Sequence, residues 1–220
     1  MFIGHFGLGL AAKKMAPSVS LGTLFIAVQF LDLLWPTLLL FNVEHVVIHP
    51  ELGGERILEF TDYPVSHSLL MAMVWSVAFG GIYFLVKKNM RDSVIVGLAV
   101  LSHWVLDLIV HFHDLPIFPW ASPKVGLEVW ANPVLTNVIE GFMFITGIVI
   151  YLRAARPRKG VFWVLMALLL LVQVSNLFSP APGSVTALAW SAQVMWLLVG
   201  MAYWADRPVS SSSSLSSGLA

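Results

Sequence analysis

The feature that most constrains the fold is a set of six long apolar stretches. They lie near residues 19–43, 66–86, 93–113, 134–152, 161–179 and 185–204. Each can cross a bilayer, which takes roughly 17–25 residues in a helix. Only helices and closed barrels satisfy the backbone in lipid, and these stretches lack the alternation of barrel strands. The sequence therefore predicts an all-α membrane protein with six transmembrane helices.

The composition agrees with a bilayer environment. Hydrophobic residues make up 58% of the chain and charged residues 11%. A soluble domain usually carries about 25% charged residues. The formal net charge is zero, which argues against a nucleic-acid partner. The absence of cysteine excludes disulfides, thiolate metal sites and a cysteine nucleophile.

The domain organisation is simple, because no internal repeat is evident. We predict a single membrane domain over residues 1–206 and a Ser-rich, disordered tail over 207–220. Residues 1–12 are apolar but too short to span. At about 1.5 Å of rise per residue, His5 stands roughly 12 Å above Lys13, near mid-membrane. We therefore predict a short N-terminal half-helix in addition to the six spans.

The basic residues predict the orientation in the membrane. In a six-span arrangement ten of the twelve Lys and Arg residues fall on one side: Lys13, Lys14, Lys87, Lys88, Arg91, Arg153, Arg156, Arg158, Lys159 and Arg207. The loop at 44–65 carries five acidic residues against Arg56 alone. By the positive-inside rule we expect both termini in the cytoplasm and the loops at 44–65 and 114–132 outside. The expected location is a cytoplasmic membrane.

Ionisable side chains interrupt the first four spans, although each costs about 2.5–3.5 kcal/mol there on insertion scales. They are Asp32, His67, His103, Asp107, His111 and Glu140. With alternating helix directions they fall in the outer half of the membrane, and His5 approaches from the inner side. We expect them to converge on a cavity open to the outside. Asp62 is expected to cap the second span.

The stretch "SHWVLDLIVHFHD" places His103, Asp107 and His111 at four-residue spacing. Residues four apart on a helix lie about 40° apart, so the three form one stripe that could meet a metal ion. His5, Asp32 and His67 extend this set of nitrogen and oxygen ligands, which suits one or two divalent ions. Zinc is favoured, with manganese or iron as alternatives. The competing interpretation is that these histidines form interhelical hydrogen bonds.

Four motifs resemble the membrane-bound metal-dependent hydrolase family of bacteria: "GHFGLGL", "DLLWP", "HSLL" and "SHWVLD". Their order is also similar to the ligand order of zinc-dependent phospholipase C. The resemblance covers residues 1 to about 113. It implies His5, Asp32, His67, His103 and Asp107 as metal ligands, with Asp107 a candidate bridge between two ions. The phospholipases add an HxxxE motif, but here Thr136 precedes Glu140 by four residues.

The leading functional hypothesis is a membrane-embedded, metal-dependent hydrolase. Asp32 would be ligand and general base, and Glu140 a second catalytic candidate or a helix-packing partner. The substrate would be a phosphoester or other ester, such as a lipid, reached from the outer side. The alternative is a proton or metal-ion transporter that uses the same buried cluster. A haem protein with histidine ligands is a third reading, but it leaves Asp32 and Asp107 unexplained.

Overall fold

The computed structural model describes residues 1–120 and 123–206, and of Glu55 only the backbone. The helices in this part of the chain are α1 (Ile3–Ala12), α2 (Leu21–Leu40), α3 (Pro64–His67), α4 (Leu69–Lys87), α5 (Met90–Val110), α6 (Pro133–Ala154), α7 (Lys159–Phe178), α8 (Val185–Ala192) and α9 (Met195–Ala205). Two antiparallel pairs of strands join them: β1 (His45–Ile48) with β2 (Leu58–Asp62), and β3 (Leu115–Pro116) with β4 (Lys124–Val125). Gly54–Ile57 and Val129–Ala131 form short 3-10 turns.

The six predicted spans are confirmed. Within the described residues, α2, α4, α5, α6 and α7 are each long and apolar enough to cross a membrane, and α8 with α9 forms the sixth candidate span. These six candidate spans indicate that the protein lies in a lipid bilayer. The predicted tail over 207–220 lies outside the described residues.

The predicted N-terminal half-helix is also confirmed, as α1. It is packed against α2, α5 and α6. Its crossing with α6 depends on two glycines. A Cβ atom on Gly147 would lie 2.2 Å from the Gly7 carbonyl oxygen, and one on Gly7 would lie 2.6 Å from the Met143 carbonyl oxygen. Because no side chain fits there, the two helix backbones can touch, as in other small-residue helix contacts in membranes.

Side-chain caps begin most of the long helices. Ser20, Ser68, Asn89 and Asn132 each accept a hydrogen bond from the backbone N–H three residues ahead, at α2, α4, α5 and α6. Such caps satisfy N–H groups that a helix start leaves free. The expectation that Asp62 caps the second span was wrong. Asp62 ends β2 opposite His45, and the extended backbone of Ser68 separates α3 from α4.

One end of the bundle, here named the basic end, is joined around Asp206. Lys13 Nζ donates to Asp206 Oδ2 at 2.7 Å, the backbone N–H of Leu21 donates to the same oxygen at 2.9 Å, and the Tyr151 hydroxyl donates to Oδ1 at 2.7 Å. These bonds bring together the end of α1, the start of α2 and the ends of α6 and α9. The opposite end, the loop end, carries both strand pairs.

Candidate metal centre

Atoms of four side chains from α2, α3 and α5 meet inside the helix bundle. They are Asp32 Oδ1, His67 Nε2, His103 Nε2 and Asp107 Oδ2. His103 Nε2 lies 3.0 Å from Asp107 Oδ2 and 3.6 Å from Asp32 Oδ1. His67 Nε2 lies 3.4 Å from Asp32 Oδ1 and 3.8 Å from Asp107 Oδ2. In a tetrahedral site with bonds of about 2.0–2.1 Å, ligand atoms stand about 3.3–3.4 Å apart. Asp32, His67 and His103 form a group whose ligand atoms all lie within 4.8 Å of one another, so these side chains could hold a metal ion.

The orientation of the His103 ring decides what its second nitrogen can do. His103 Nδ1–H donates to the Val28 carbonyl oxygen at 2.7 Å. A neutral imidazole carries one proton, so Nε2 then holds a bare lone pair. Although Nε2 is fully buried and 3.0 Å from Asp107 Oδ2, it makes no hydrogen bond within the described residues. A lone pair facing a carboxylate oxygen is repulsive without a cation, so this atom fits a metal ligand.

The ring of His67 is held from its other side by buried polar groups of the loop end. Its Nδ1 lies 2.7 Å from Ser66 Oγ, and Ser66 Oγ donates to Glu44 Oε2 at 2.6 Å. The side chains of Glu44 and Ser66 are 1% and 0% exposed. Burial raises the pKa of Glu44, while the hydrogen bonds from Ser66 act in the opposite direction. The sequence analysis missed both residues, because Glu44 looked like part of a solvated acidic loop.

The second oxygen of Asp107 has a separate set of neighbours. Asp107 Oδ1 accepts a hydrogen bond from the Met1 amine at 2.9 Å and lies 3.1 Å from His5 Nε2. The His5 ring stacks on His103 at a centroid distance of 3.8 Å. His5, His103 and Asp107 form a second group whose ligand atoms all lie within 4.8 Å. His103 belongs to both groups but has only Nε2 to offer, so it can serve one ion.

Asp32 differs from the other three members of the four-atom set by its accessibility. Its side chain is 26% exposed, against 4% for His67 and 0% for His103. Pro36 stands four residues further along α2 and has no N–H to donate to the Asp32 carbonyl. Asp32 therefore lies at a break in the hydrogen-bond ladder of α2, and its side chain is the most exposed of the four.

Glu140 does not belong to either candidate ligand group. Its Oε2 accepts hydrogen bonds from the backbone N–H of Phe2 at 2.7 Å and of Gly4 at 3.1 Å. It thereby satisfies N–H groups that the start of α1 would leave free inside the bundle. This contact accounts for a buried carboxylate in α6. The catalytic role predicted for Glu140 stays a prediction.

His111 is separated from the other histidines. The predicted third span ran to residue 113, but α5 ends at Val110, and the extended backbone of His111 takes it off the stripe. Its Nδ1 lies 3.0 Å from Asp114 Oδ1, and its ring lies 4.1 Å from that of Trp130. Among the described residues, neither candidate ligand group includes it.

Tyr63 stands between His111 and the cluster. Its ring centroid is 5.2 Å from that of His67 and 6.3 Å from that of His111. Burial, together with the charge of Asp114, raises the pKa of Tyr63 well above its usual value. The phenol therefore stays protonated, and its O–H donates a hydrogen bond to Asp114 Oδ1 at 3.4 Å.

Three further histidines lie in the loop end. His45, His49 and His113 have side chains 49%, 31% and 69% exposed, and each faces a carboxylate of the loop end. They provide exposed counterparts for experiments on the buried histidines.

Comparison of the chain with protein-family models, curated proteins and solved structures found no match. The resemblance to membrane hydrolases therefore rests on the four motifs quoted above. The case for a function rests on the geometry of the cluster.

Proposed function

We propose that the protein is a membrane-embedded, metal-dependent hydrolase. One observation carries the proposal: nitrogen and oxygen atoms of Asp32, His67, His103 and Asp107 lie 3.0–3.8 Å apart, and Asp32 is the most exposed of the four side chains. Structural zinc sites are closed on all sides, whereas catalytic sites have three protein ligands and leave one position open to water or substrate. Three buried ligands, with Asp32 beside the remaining position, correspond to the catalytic case.

The four residues of the cluster would have two roles, which are to bind the metal ion and to activate water. A divalent ion supplies Lewis-acid chemistry, since it polarises the bond to be broken and makes water more acidic. His67, His103 and Asp107 would hold the ion. Asp32, at the accessible edge, would orient the attacking water and accept its proton, and general bases of this kind contribute about 10²–10⁴-fold in rate. Burial of the other three groups keeps bulk water from the holding side.

Zinc is the ion we propose, because the ligands are imidazoles and carboxylates. His5 and Asp107 Oδ1 are candidates for a second ion, since Asp107 turns one oxygen towards each candidate group. The proposed metal content is therefore one or two equivalents.

The proposed setting follows the charge of the two ends. The basic end would face the cytoplasm, with both termini, and the loop end would face outwards in a bacterial cytoplasmic membrane. The cluster is built from the loop-end part of α2 and α5 and from α3, which adjoins the outer loops. We therefore propose a phosphoester or carboxyester substrate, plausibly a lipid, that reaches Asp32 from the outer side.

The test uses purified full-length protein with a panel of phosphoester and carboxyester substrates, including short-chain phospholipids. Asp32→Asn keeps the shape of the side chain but removes its charge and its capacity as a base. We expect it to lower turnover by at least about 100-fold, while zinc remains bound through His67, His103 and Asp107. Chelator should abolish turnover in the wild type. Asp62→Asn, which changes an exposed loop carboxylate, should cleave like the wild type.

Two results would contradict the hydrolase. Wild-type activity in Asp32→Asn would remove the assignment of the base. Absence of any cleavage, together with Asp32-dependent movement of a cation in proteoliposomes, would establish the transporter instead.

A further inference from the structure

We infer that Glu44 and Ser66 are positioning residues that fix the protonation pattern of the His67 ring, so that its Nε2 is free to bind metal. The inference rests on the proposed metal centre and adds to it a control from the outer loop. Glu44 lies between α2 and β1, and Ser66 lies in α3 beside His67. The contact between Ser66 Oγ and His67 Nδ1 links both residues to the ring of a proposed metal ligand.

The orientation of Glu44 is set by two backbone donors. Its Oε1 accepts from the N–H of Val65 at 2.8 Å and from the N–H of Ser66 at 2.7 Å. These bonds place Oε2 against the Ser66 hydroxyl at 2.6 Å. A carboxylate oxygen can only accept, so the single proton of that hydroxyl points towards Glu44.

The direction of the Ser66 hydroxyl then determines where His67 carries its proton. With its proton committed to Glu44, Ser66 Oγ can only accept from His67 Nδ1, 2.7 Å away. His67 therefore carries its proton on Nδ1 and a bare lone pair on Nε2. That nitrogen points at Asp32 Oδ1, 3.4 Å away, and at Asp107 Oδ2, 3.8 Å away. Outer partners that fix the tautomer of a ligand histidine commonly change metal affinity by about 10–100-fold when mutated.

The substitution Glu44→Gln reverses this chain without removing it. The new carbonyl must still face the N–H groups of Val65 and Ser66, so the new amide nitrogen faces Ser66 Oγ and donates to it. The Ser66 hydroxyl then turns its proton towards His67 Nδ1. His67 must accept there and carry its proton on Nε2, where metal would bind. Ser66→Ala instead removes the link and leaves the ring free to adopt either tautomer.

The experiment measures zinc affinity of the full-length protein by competition with a chromophoric chelator. We expect Glu44→Gln to lower affinity by about 10–100-fold and Ser66→Ala by about 10-fold or less. Glu59→Gln, an exposed glutamate of the same loop that faces His49, should leave it within twofold. Glu44→Gln with wild-type affinity would overturn the inference.

A second measurement reads the tautomer without metal. In metal-free protein labelled with ¹⁵N-histidine, the His67 resonances, identified by their loss in His67→Gln, should report a proton on Nδ1 in the wild type and on Nε2 in Glu44→Gln. An unchanged tautomer in Glu44→Gln would overturn the inference even if affinity fell. Wild-type protein that binds no zinc would contradict the proposed function, while the tautomer measurement would still decide the role of Glu44 and Ser66.

Discussion

Two carboxylates, one towards each end of the helix bundle, differ in the groups that surround them. At the basic end, Asp206 accepts hydrogen bonds from Lys13, from the Leu21 backbone N–H and from Tyr151, at 2.7–2.9 Å. Towards the loop end, Asp107 Oδ2 faces imidazole nitrogens instead, His103 Nε2 at 3.0 Å and His67 Nε2 at 3.8 Å. The first carboxylate is surrounded by donors. The second accepts from the Met1 amine at Oδ1, whereas its Oδ2 faces rings whose Nδ1 protons are used elsewhere.

The difference separates a structural junction from the proposed metal site. A buried charge is tolerated when donors or a cation compensate it. Lys13 supplies the cation at the basic end as part of the chain. At the cluster, the Val28 carbonyl and Ser66 engage the Nδ1 protons of His103 and His67, and the Met1 amine contacts Asp107 through Oδ1. The Nε2 lone pairs facing Asp107 Oδ2 could therefore take a cation from outside the chain.

The largest effect is expected from breaking the junction. Lys13→Met leaves Asp206 buried without its cation, since the two side chains are 9% and 10% exposed. We expect a loss of about 3–5 kcal/mol in the free energy of unfolding, measured by denaturation in detergent. Zinc affinity should be unchanged.

Lys14 is the matched control for Lys13, because it is exposed one residue further along. Lys14→Met should change the free energy of unfolding by less than about 0.5 kcal/mol. Equal stability of the two variants would show that Asp206 needs no cation, and the comparison between the two ends would lose its basis.

Substitution within the cluster should lower the affinity for zinc more than it lowers the stability of the fold. His103→Ala removes the one histidine common to both candidate ligand groups. Since losing an outer partner of a ligand costs about 10–100-fold in affinity, losing this ligand should cost more than about 100-fold. Metal analysis after gel filtration would measure it. Zinc binding equal to the wild type would exclude the proposed centre.

The smallest effect is expected from substituting exposed histidines of the loop end. His45→Ala and His49→Ala remove loop histidines that face Asp62 and Glu59 in solvent. Exposed ion pairs contribute about 0–1 kcal/mol, so both zinc affinity and stability should stay close to wild type. A tenfold loss of affinity in either variant would place part of the metal site in the loop.

The helices and part of the cluster could be predicted from the sequence because they depend on local properties. The length of an apolar stretch determines whether it can span a bilayer, which is why the six candidate spans agree with the prediction. His103 and Asp107 meet because a helix brings residues four apart to one face. The same rule failed for His111, since α5 ends one residue before it.

The sequence by itself therefore determined the spans, the basic end and the types of side chain that must be sheltered inside them. Tertiary structure alone decided which of those side chains meet. Glu140 was predicted as a catalytic candidate or a helix-packing partner, and packing of α1 against α6 brings it to the N–H groups of Phe2 and Gly4. Glu44 was assigned to a solvated loop, yet the fold buries it behind His67. Partners far apart in the chain are chosen by helix packing, which no local pattern records.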